Sequence, residues 1–190
     1  MFLPIVAYGD PVLKEVGEEI SPDYPKLKEL IENMYETMYT SHGVGLAAPQ
    51  IGLSIRIFIV DCSPFEEDEP HLADFQKTFI NAEIIEEEGE EWYFNEGCLS
   101  IPDVREEVSR KPKITIRYFD EDFVEHTDTY EGMAARVIQH EYDHIEGILF
   151  TEYLSPLRKR IIKRRLSDIM NGKVDPDYRM RFYKVKKGRR

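Results

Sequence analysis

Two histidines at positions i and i+4 give the sharpest chemical signal in the chain, in the run His140-Glu141-Tyr142-Asp143-His144. At about 100° per residue, both imidazoles project from one helical face, one turn apart, so they can reach a single metal ion. Glu141 lies on the same side, near enough to act on a water bound to that ion without ligating it. This arrangement is typical of metal-assisted hydrolysis.

A catalytic metal needs a further protein ligand and an open position for water. Downstream of His144 no residue is a good candidate for the third ligand. Phe150 cannot bind a metal, and Glu152 lies too close to the end of the helix for the chain to bring it back to the metal. Upstream, Cys98 offers a thiolate, and a thiolate with two imidazoles suits iron(II), zinc or nickel. Cys98 is therefore the candidate third ligand, and a buried inert thiol is the alternative that the residues leave open.

Cysteine content and the first residues indicate the compartment. Cys62 and Cys98 are too few for a disulfide framework, which favours a reducing environment. We expect Cys62, which follows the apolar run 57–61, to be a small buried side chain.

Residues 1–6 have no basic region and soon reach Asp10, so we do not expect a signal peptide. No apolar run approaches the ~20 residues that cross a bilayer. We expect a cytoplasmic protein without membrane contact.

The charge of the chain is unevenly distributed. Residues 158–190 carry 14 Lys or Arg and three acidic residues, a net charge of +11. Because the whole chain has a net charge of −12, residues 1–157 carry −23. The acidic body argues against DNA binding, whereas the basic end can meet a phosphate backbone. We therefore divide the chain into one domain, 1–157, and a basic C-terminal helix and tail, 158–190.

The apolar pattern predicts an α+β domain. Residues 23–41 carry apolar side chains at helical spacing, and helices are also predicted over 133–145 and 156–170. Residues 43–52 are too rich in Gly and Pro for a helix and too apolar for a floppy loop, and 63–74 reads as an exposed loop. Strands are predicted at about 55–61, 78–86, 91–94, 104–109, 114–119 and 124–130. We expect mostly antiparallel strands packed around a central metal-binding helix, with N-terminal and C-terminal helices.

Three segments resemble the signature motifs of bacterial-type peptide deformylases, in the usual order and spacing. They are Gly43-Val44-Gly45-Leu46-Ala47-Ala48-Pro49-Gln50, Glu96-Gly97-Cys98-Leu99-Ser100 and Gln139-His140-Glu141-Tyr142-Asp143-His144. Each motif is moderately specific, and the three together are very hard to obtain by accident. The similarity runs from Pro4-Ile5 to about Leu157. The acidic loop 63–74 looks longer than in the compact members of the family, and the tail beyond residue 172 does not resemble the family pattern.

The resemblance implies a metal-dependent hydrolase that removes the formyl group from the N-terminal formyl-methionine of newly synthesised proteins and releases formate. It implies one divalent metal, natively iron(II), with zinc, nickel or cobalt as possible substitutes, held by Cys98, His140 and His144. Glu141 is then expected to take a proton from water and to hand it to the leaving amine. The Gln50 side-chain amide and the Leu99 backbone N–H are expected to stabilise the oxyanion.

Substrate binding falls to the first motif. The formyl group is the smallest acyl group, because its carbonyl carbon carries only hydrogen. Gly45 is therefore expected to bring backbone close to the metal, exclude larger acyl groups and pair with an extended peptide. Arg105 either contacts the peptide or lies on the surface, and both alternatives stay open. The side chains that either frame the methionine pocket or pack in the core are Val44, Leu46, Ile101, Val137 and Ile138.

Two acidic residues stand next to the ligands. We expect Glu96 and Asp143 to hydrogen-bond to the ligands or to pair with an arginine, and idle exposed carboxylates are the alternative. We assign no chemistry to His42, His71 or His126, which have no ligand-spaced partner.

Two other functions compete with deformylation. One is a zinc metallopeptidase built on the same helix, which the missing downstream ligand disfavours. The other is a ribosome-associated binding protein with a structural metal. The basic helix 156–170 resembles the ribosome-contacting end of the family, so a ribosome contact is compatible with catalysis on formyl-methionyl nascent chains. A solvated basic surface without a partner is the alternative.

Overall fold

A computed structural model of the chain describes residues 2–183. Residues 184–190 of the predicted basic tail lie outside the described residues. In chain order the elements are β1 (Ile5–Val6), α1 (Leu27–Thr40), β2 (Gly45–Ala47), β3 (Ile57–Asp61), β4 (Gln76–Glu88), β5 (Trp92–Cys98), β6 (Ile101–Arg110), β7 (Lys113–Phe119), β8 (Glu125–Glu131), α2 (Gly132–Ile145), α3 (Pro156–Met170) and β9 (Met180–Arg181).

The strands form one large sheet and two small ones. The large sheet has the order β2-β3-β4-β7-β8 and is antiparallel throughout. Strands β5 and β6 form an antiparallel hairpin, and β1 pairs with β9 in parallel. The predicted α+β architecture, with mostly antiparallel strands around a central helix, is confirmed. Within residues 2–183, no helix is long and apolar enough to cross a bilayer.

Helix α2 is the centre of the fold. Eleven of its 14 residues are buried, as expected for a helix with packing partners on every side. It contacts β2 and β3, and β8 leads directly into it through Gly132 at φ 59°. Its first turn is held by the loop that we predicted to be exposed, because Glu69 accepts a hydrogen bond of 2.9 Å from the Met133 N–H. Most of that loop is exposed, but Leu72 is buried.

Helix boundaries agree with the sequence at two helices and disagree at the third. Helix α3 spans the predicted residues, and Ser155 Oγ accepts from the Arg158 N–H at 3.3 Å, as expected of an N-cap followed by proline. The predicted start of α1 at residue 23 was wrong. Lys26 has φ 58°, a left-handed conformation that a right-handed helix excludes, and Pro25 disfavours helical geometry at Tyr24.

The C-terminal elements are attached to the rest of the fold. Helix α3 buries Ile162 and Ile169 in a cluster with Ile101 and Phe150. Two ion pairs, Arg158 with Glu106 and Arg165 with Asp103, fasten it to β6. The division of the chain at 157/158 stays a prediction.

Candidate metal centre

Helix α2 and the β5–β6 turn bring the three predicted ligands together. His140 and His144 lie one turn apart on α2, and Cys98 ends β5 at a point where the register shifts between Gly97 and Cys98. The candidate ligand atoms all lie within 4.8 Å of one another, and Cys98 Sγ is 3.4 Å from His144 Nε2. A bound ion lies ~2.0–2.3 Å from each donor atom, so donors this close can share one.

The His140 ring is oriented by Glu96. Its Nδ1 donates to Glu96 Oε2 at 2.9 Å, which leaves Nε2 for the metal side. A carboxylate on the second ring nitrogen is the usual support of a metal-ligating histidine. Burial alone would raise the pKa of Glu96, but hydrogen bonds from His140 and Arg110 outweigh it and hold that pKa well below its ordinary value. The residues present therefore fit a divalent metal.

Two buried arginines complete the support of the site. Arg110 donates to both oxygens of Glu96, at 2.7 and 3.1 Å, and to Asp143 at 2.8 Å. Arg136 donates to Glu96 at 3.0 Å. Glu96 thus both hydrogen-bonds to the His140 ligand and pairs with arginines, and Asp143 pairs with Arg110. Neither is the idle exposed carboxylate of the alternative, since both are buried. We did not predict the arginines, although Arg136 precedes His140 by one helical turn and Arg110 follows the inward alternation of β6.

Glu141 is buried against a glycine. Its Oε2 has no hydrogen-bond partner among residues 2–183, and burial raises the pKa of Glu141 to about 7. A Cβ added to Gly45 would lie 2.7 Å from both Cγ and Cδ of Glu141. Real side chains do not approach so closely, so glycine at position 45 makes the space that the carboxylate occupies.

Gln50 and Leu99 lie beside the ligands. The Gln50 Oε1 accepts from the Ala47 N–H at 2.9 Å, which turns Nε2 toward Cys98 Sγ and Ser100 Oγ, each 3.4 Å away. The Leu99 carbonyl accepts a hydrogen bond of 2.8 Å from the Tyr178 hydroxyl. Tyr178 was not predicted as a site residue.

A cavity of about 720 Å³ opens onto the centre. Cys98, His140, Glu141, Gln50 and Leu99 all border it. So do Val44, Gly45 and Arg105, the predicted substrate-binding residues. Arg105 is exposed, and its guanidinium donates to the Asn95 carbonyl at 2.7 Å.

The apolar candidates divide between cavity and core. Val44, Ile101 and Val137 border the cavity, whereas Leu46 and Ile138 are fully buried in core clusters. The cavity wall also includes apolar residues that we did not predict, among them Phe65, Phe94, Val104 and Met133.

The remaining histidines do not belong to the candidate ligand group. His126 pairs with Asp120 at 2.7 Å and His71 with Glu69 at 3.6 Å. His42 lies at the cavity, 3.7 Å from Asp177.

Comparison with known proteins gives one family. Residues 2–160 match the family model described as polypeptide deformylase. The chain is 62% identical to the peptide deformylase of Flavobacterium johnsoniae across 100% of both proteins, and 45% identical to that of Salinibacter ruber across 94% of this chain and 93% of the relative. It resembles the crystal structure of a Legionella pneumophila peptide deformylase with a TM-score of 0.79 and 34% identity, covering 91% of this chain and 98% of that one.

The buried ion pairs beneath the ligands lead to a stability prediction. We expect Arg110→Met to lower the free energy of unfolding by about 3 kcal/mol, because it leaves buried carboxylates short of a partner. We also expect metal affinity to fall about tenfold as the His140 support loosens. Urea unfolding and metal titration measure the two effects.

Arg117→Met is the matched control, since Arg117 pairs with Glu83 on an exposed part of the sheet and should contribute little. Equal effects of the two substitutions would contradict the special importance of the buried network.

Proposed function

The chain belongs to the peptide deformylase family, and we propose how its own residues carry out the reaction of that family. The enzyme is a metal-dependent hydrolase that removes the formyl group from the N-terminus of newly made proteins. Its substrates are therefore formyl-methionyl nascent peptides. Membership of this family argues against the two rivals, a peptidase for internal bonds and a binding protein with a structural metal. The observation that carries the proposed mechanism is the meeting of a Cys-His-His donor group with a buried free carboxylate in one cavity.

We propose that Cys98, His140 and His144 hold one divalent ion, natively iron(II), with zinc, nickel or cobalt as substitutes. The mixed sulfur and nitrogen donor set supports a borderline ion of this kind. When bound, such an ion supplies Lewis-acid activation of water and of the formyl carbonyl.

Glu141 is proposed as the proton carrier. It takes the proton of the attacking water and delivers it to the amine nitrogen as the bond to the formyl carbon breaks, so that formate leaves. A pKa of about 7, raised by burial, suits a group that must accept and release a proton near neutrality. The free Oε2 of Glu141 supports the assignment, because a partner would compete for that proton.

Gln50 and Leu99 are proposed to stabilise the oxyanion. The Gln50 amide is held by Ala47 before substrate arrives, and a donor fixed in advance costs no reorganisation during the reaction. The Leu99 backbone N–H is the second donor.

The peptide is proposed to lie along β2, with Val44 and Gly45 providing backbone contacts. Strand β2 is at the edge of the large sheet, so only one of its sides pairs with another strand of that sheet, and we propose that the peptide adds to the other side. Arg105, at the exposed end of the cavity, is proposed to meet the following residues of the peptide. The packing of Gly45 against Glu141 leaves little depth beside the carboxylate, which favours a formyl group over larger acyl groups.

We further propose a cytoplasmic location, which the two free thiols support. We also propose that the chain divides into a catalytic domain, 1–157, which holds the proposed ligands and proton carrier, and a basic C-terminal helix and tail, 158–190, which contacts the ribosome. On α3 the exposed basic residues include Lys159, Arg160, Lys163 and Arg164.

Glu141→Gln is expected to lower kcat for formyl-Met-Ala-Ser by a factor of about 10² to 10⁴, since the amide cannot carry the proton. Bound metal should stay at the wild-type level. Formate release and elemental analysis measure the two quantities. Glu107→Gln, an exposed carboxylate on β6, is the control and should behave as wild type. Near-normal deformylation by Glu141→Gln would remove Glu141 from the proposed role.

Protein purified without oxygen is expected to contain one iron per chain and to lose activity with a chelator, with recovery on adding iron(II), zinc, nickel or cobalt. Cys98→Ala should lower the metal content sharply. Cys62→Ala should leave it unchanged, because Cys62 is a core residue whose pKa burial raises to about 12. Full metal content in Cys98→Ala would show that the thiolate is not a ligand.

The fourfold substitution K159E/R160E/K163E/R164E is expected to abolish co-sedimentation with ribosomes at low salt, because contacts with phosphate depend on positive charge. Deformylation of a free tripeptide should not change. Deleting α3 would be a poor test, since it would remove Ile162 and Ile169 from the core. The substitutions K26E and K28E, at the start of α1, serve as control. Unchanged co-sedimentation of the fourfold variant would refute the contact.

A further inference from the structure

The chain returns to the metal-binding turn after α3. Strand β9 pairs with β1, with the Ile5 N–H donating to the Arg179 carbonyl at 2.8 Å and the Ala7 N–H donating to the Arg181 carbonyl at 2.9 Å. Met180 packs against two of the core clusters. The described part of the C-terminal segment is therefore built into the fold.

Residues that flank the β1–β9 pair bond to the turn that follows Cys98. The Tyr178 hydroxyl donates to the Leu99 carbonyl at 2.8 Å, and the Tyr8 N–H donates to the Ser100 carbonyl, also at 2.8 Å. Two successive carbonyls of the turn are thus held from one side. A tyrosine hydroxyl keeps its proton at neutral pH and can donate, and burial raises the pKa of Tyr178 further.

The same segment borders the cavity. Residues 175–178 contribute to its wall together with Leu99 and Glu141. The Leu99 side chain is confined from another direction, because a Cβ on Gly43 would lie 2.8 Å from Leu99 Cδ1. Leu99 is therefore hydrogen-bonded at its carbonyl by Tyr178, and its side chain lies against Gly43 of the first motif.

We propose that Tyr178 is a positioning residue for deformylation, and that the C-terminal segment is thereby part of the active site. The N–H and the C=O of Leu99 flank one Cα, so a hydrogen bond that fixes the carbonyl limits how far the N–H can turn. Alignment of the N–H matters most in the transition state, where charge develops on the formyl oxygen. This inference rests on the oxyanion role proposed for the Leu99 N–H.

Tyr178→Phe tests the inference, because it removes the hydroxyl and keeps the ring. We expect kcat for formyl-Met-Ala-Ser to fall about fivefold, the size of one net hydrogen bond, with KM within about twofold of wild type. Metal content should stay at the wild-type level, and Tm should fall by no more than about 4 °C, the stability contribution of one hydrogen bond, so that the protein stays folded in the assay. Tyr183→Phe is the control, since Tyr183 is an exposed tyrosine of the same segment, and it should leave kcat unchanged.

An unchanged kcat in Tyr178→Phe would overturn the inference. A loss of kcat that merely follows a loss of metal or of folded protein would also overturn it, because Tyr178 would then be structural. Amide hydrogen exchange at Leu99 is a second measurement: faster exchange in Tyr178→Phe is expected, and an unchanged rate counts against the inference. If wild-type protein released no formate, the proposed function itself would fail, and this inference would fail with it.

Discussion

One carboxylate, that of Glu96, ties together the three elements on which the site depends. It lies on β5 and accepts hydrogen bonds from Arg110 on β6 and from Arg136 and His140 on α2. A buried charge without its partners costs several kcal/mol. Helix α2 therefore cannot slide or rotate against the β5–β6 hairpin without losing these pairs. Cys98 follows Glu96 on the same strand, so this charge pairing also sets the distance between the thiol and the histidines.

The neighbouring carboxyl of Glu141 has the opposite environment. Glu96 is surrounded by cationic donors, and its pKa is held low despite burial. Burial without a partner for Oε2 raises the pKa of Glu141 to about 7. Two glutamates that border one cavity are thereby suited to different tasks: a fixed negative support for a ligand, and a group that exchanges protons. Environment rather than residue type separates the two roles.

The sequence predicted the local features of the site better than the long-range ones. Ligand spacing on α2 is a property of one helix, and the motif resemblance pointed to Cys98 and Gln50. Arg110 was not predicted because its partners, Glu96 and Asp143, lie on β5 and α2. These side chains come close to Arg110 through the sheet register and the packing of α2, not through spacing along the chain. Strands β1, β2 and β9 have only two or three residues, too few for a period to be read. Tyr178 could not be predicted either. It lies just before the short strand β9, and the only feature that the sequence of the C-terminal tail indicates is its positive charge.

The contact between Gly45 and Glu141 gives the glycine a more specific purpose than the sequence suggested. From the sequence, Gly45 was expected to exclude large acyl groups. In the structure, the space of a missing Cβ is occupied by Glu141 itself, with Cγ and Cδ only 2.7 Å from the Cβ position. If Glu141 is the proton carrier, selectivity and catalysis depend on the same close approach. A side chain at position 45 would displace the base at the same time as it reshaped the pocket, so the two properties cannot be changed separately at this position.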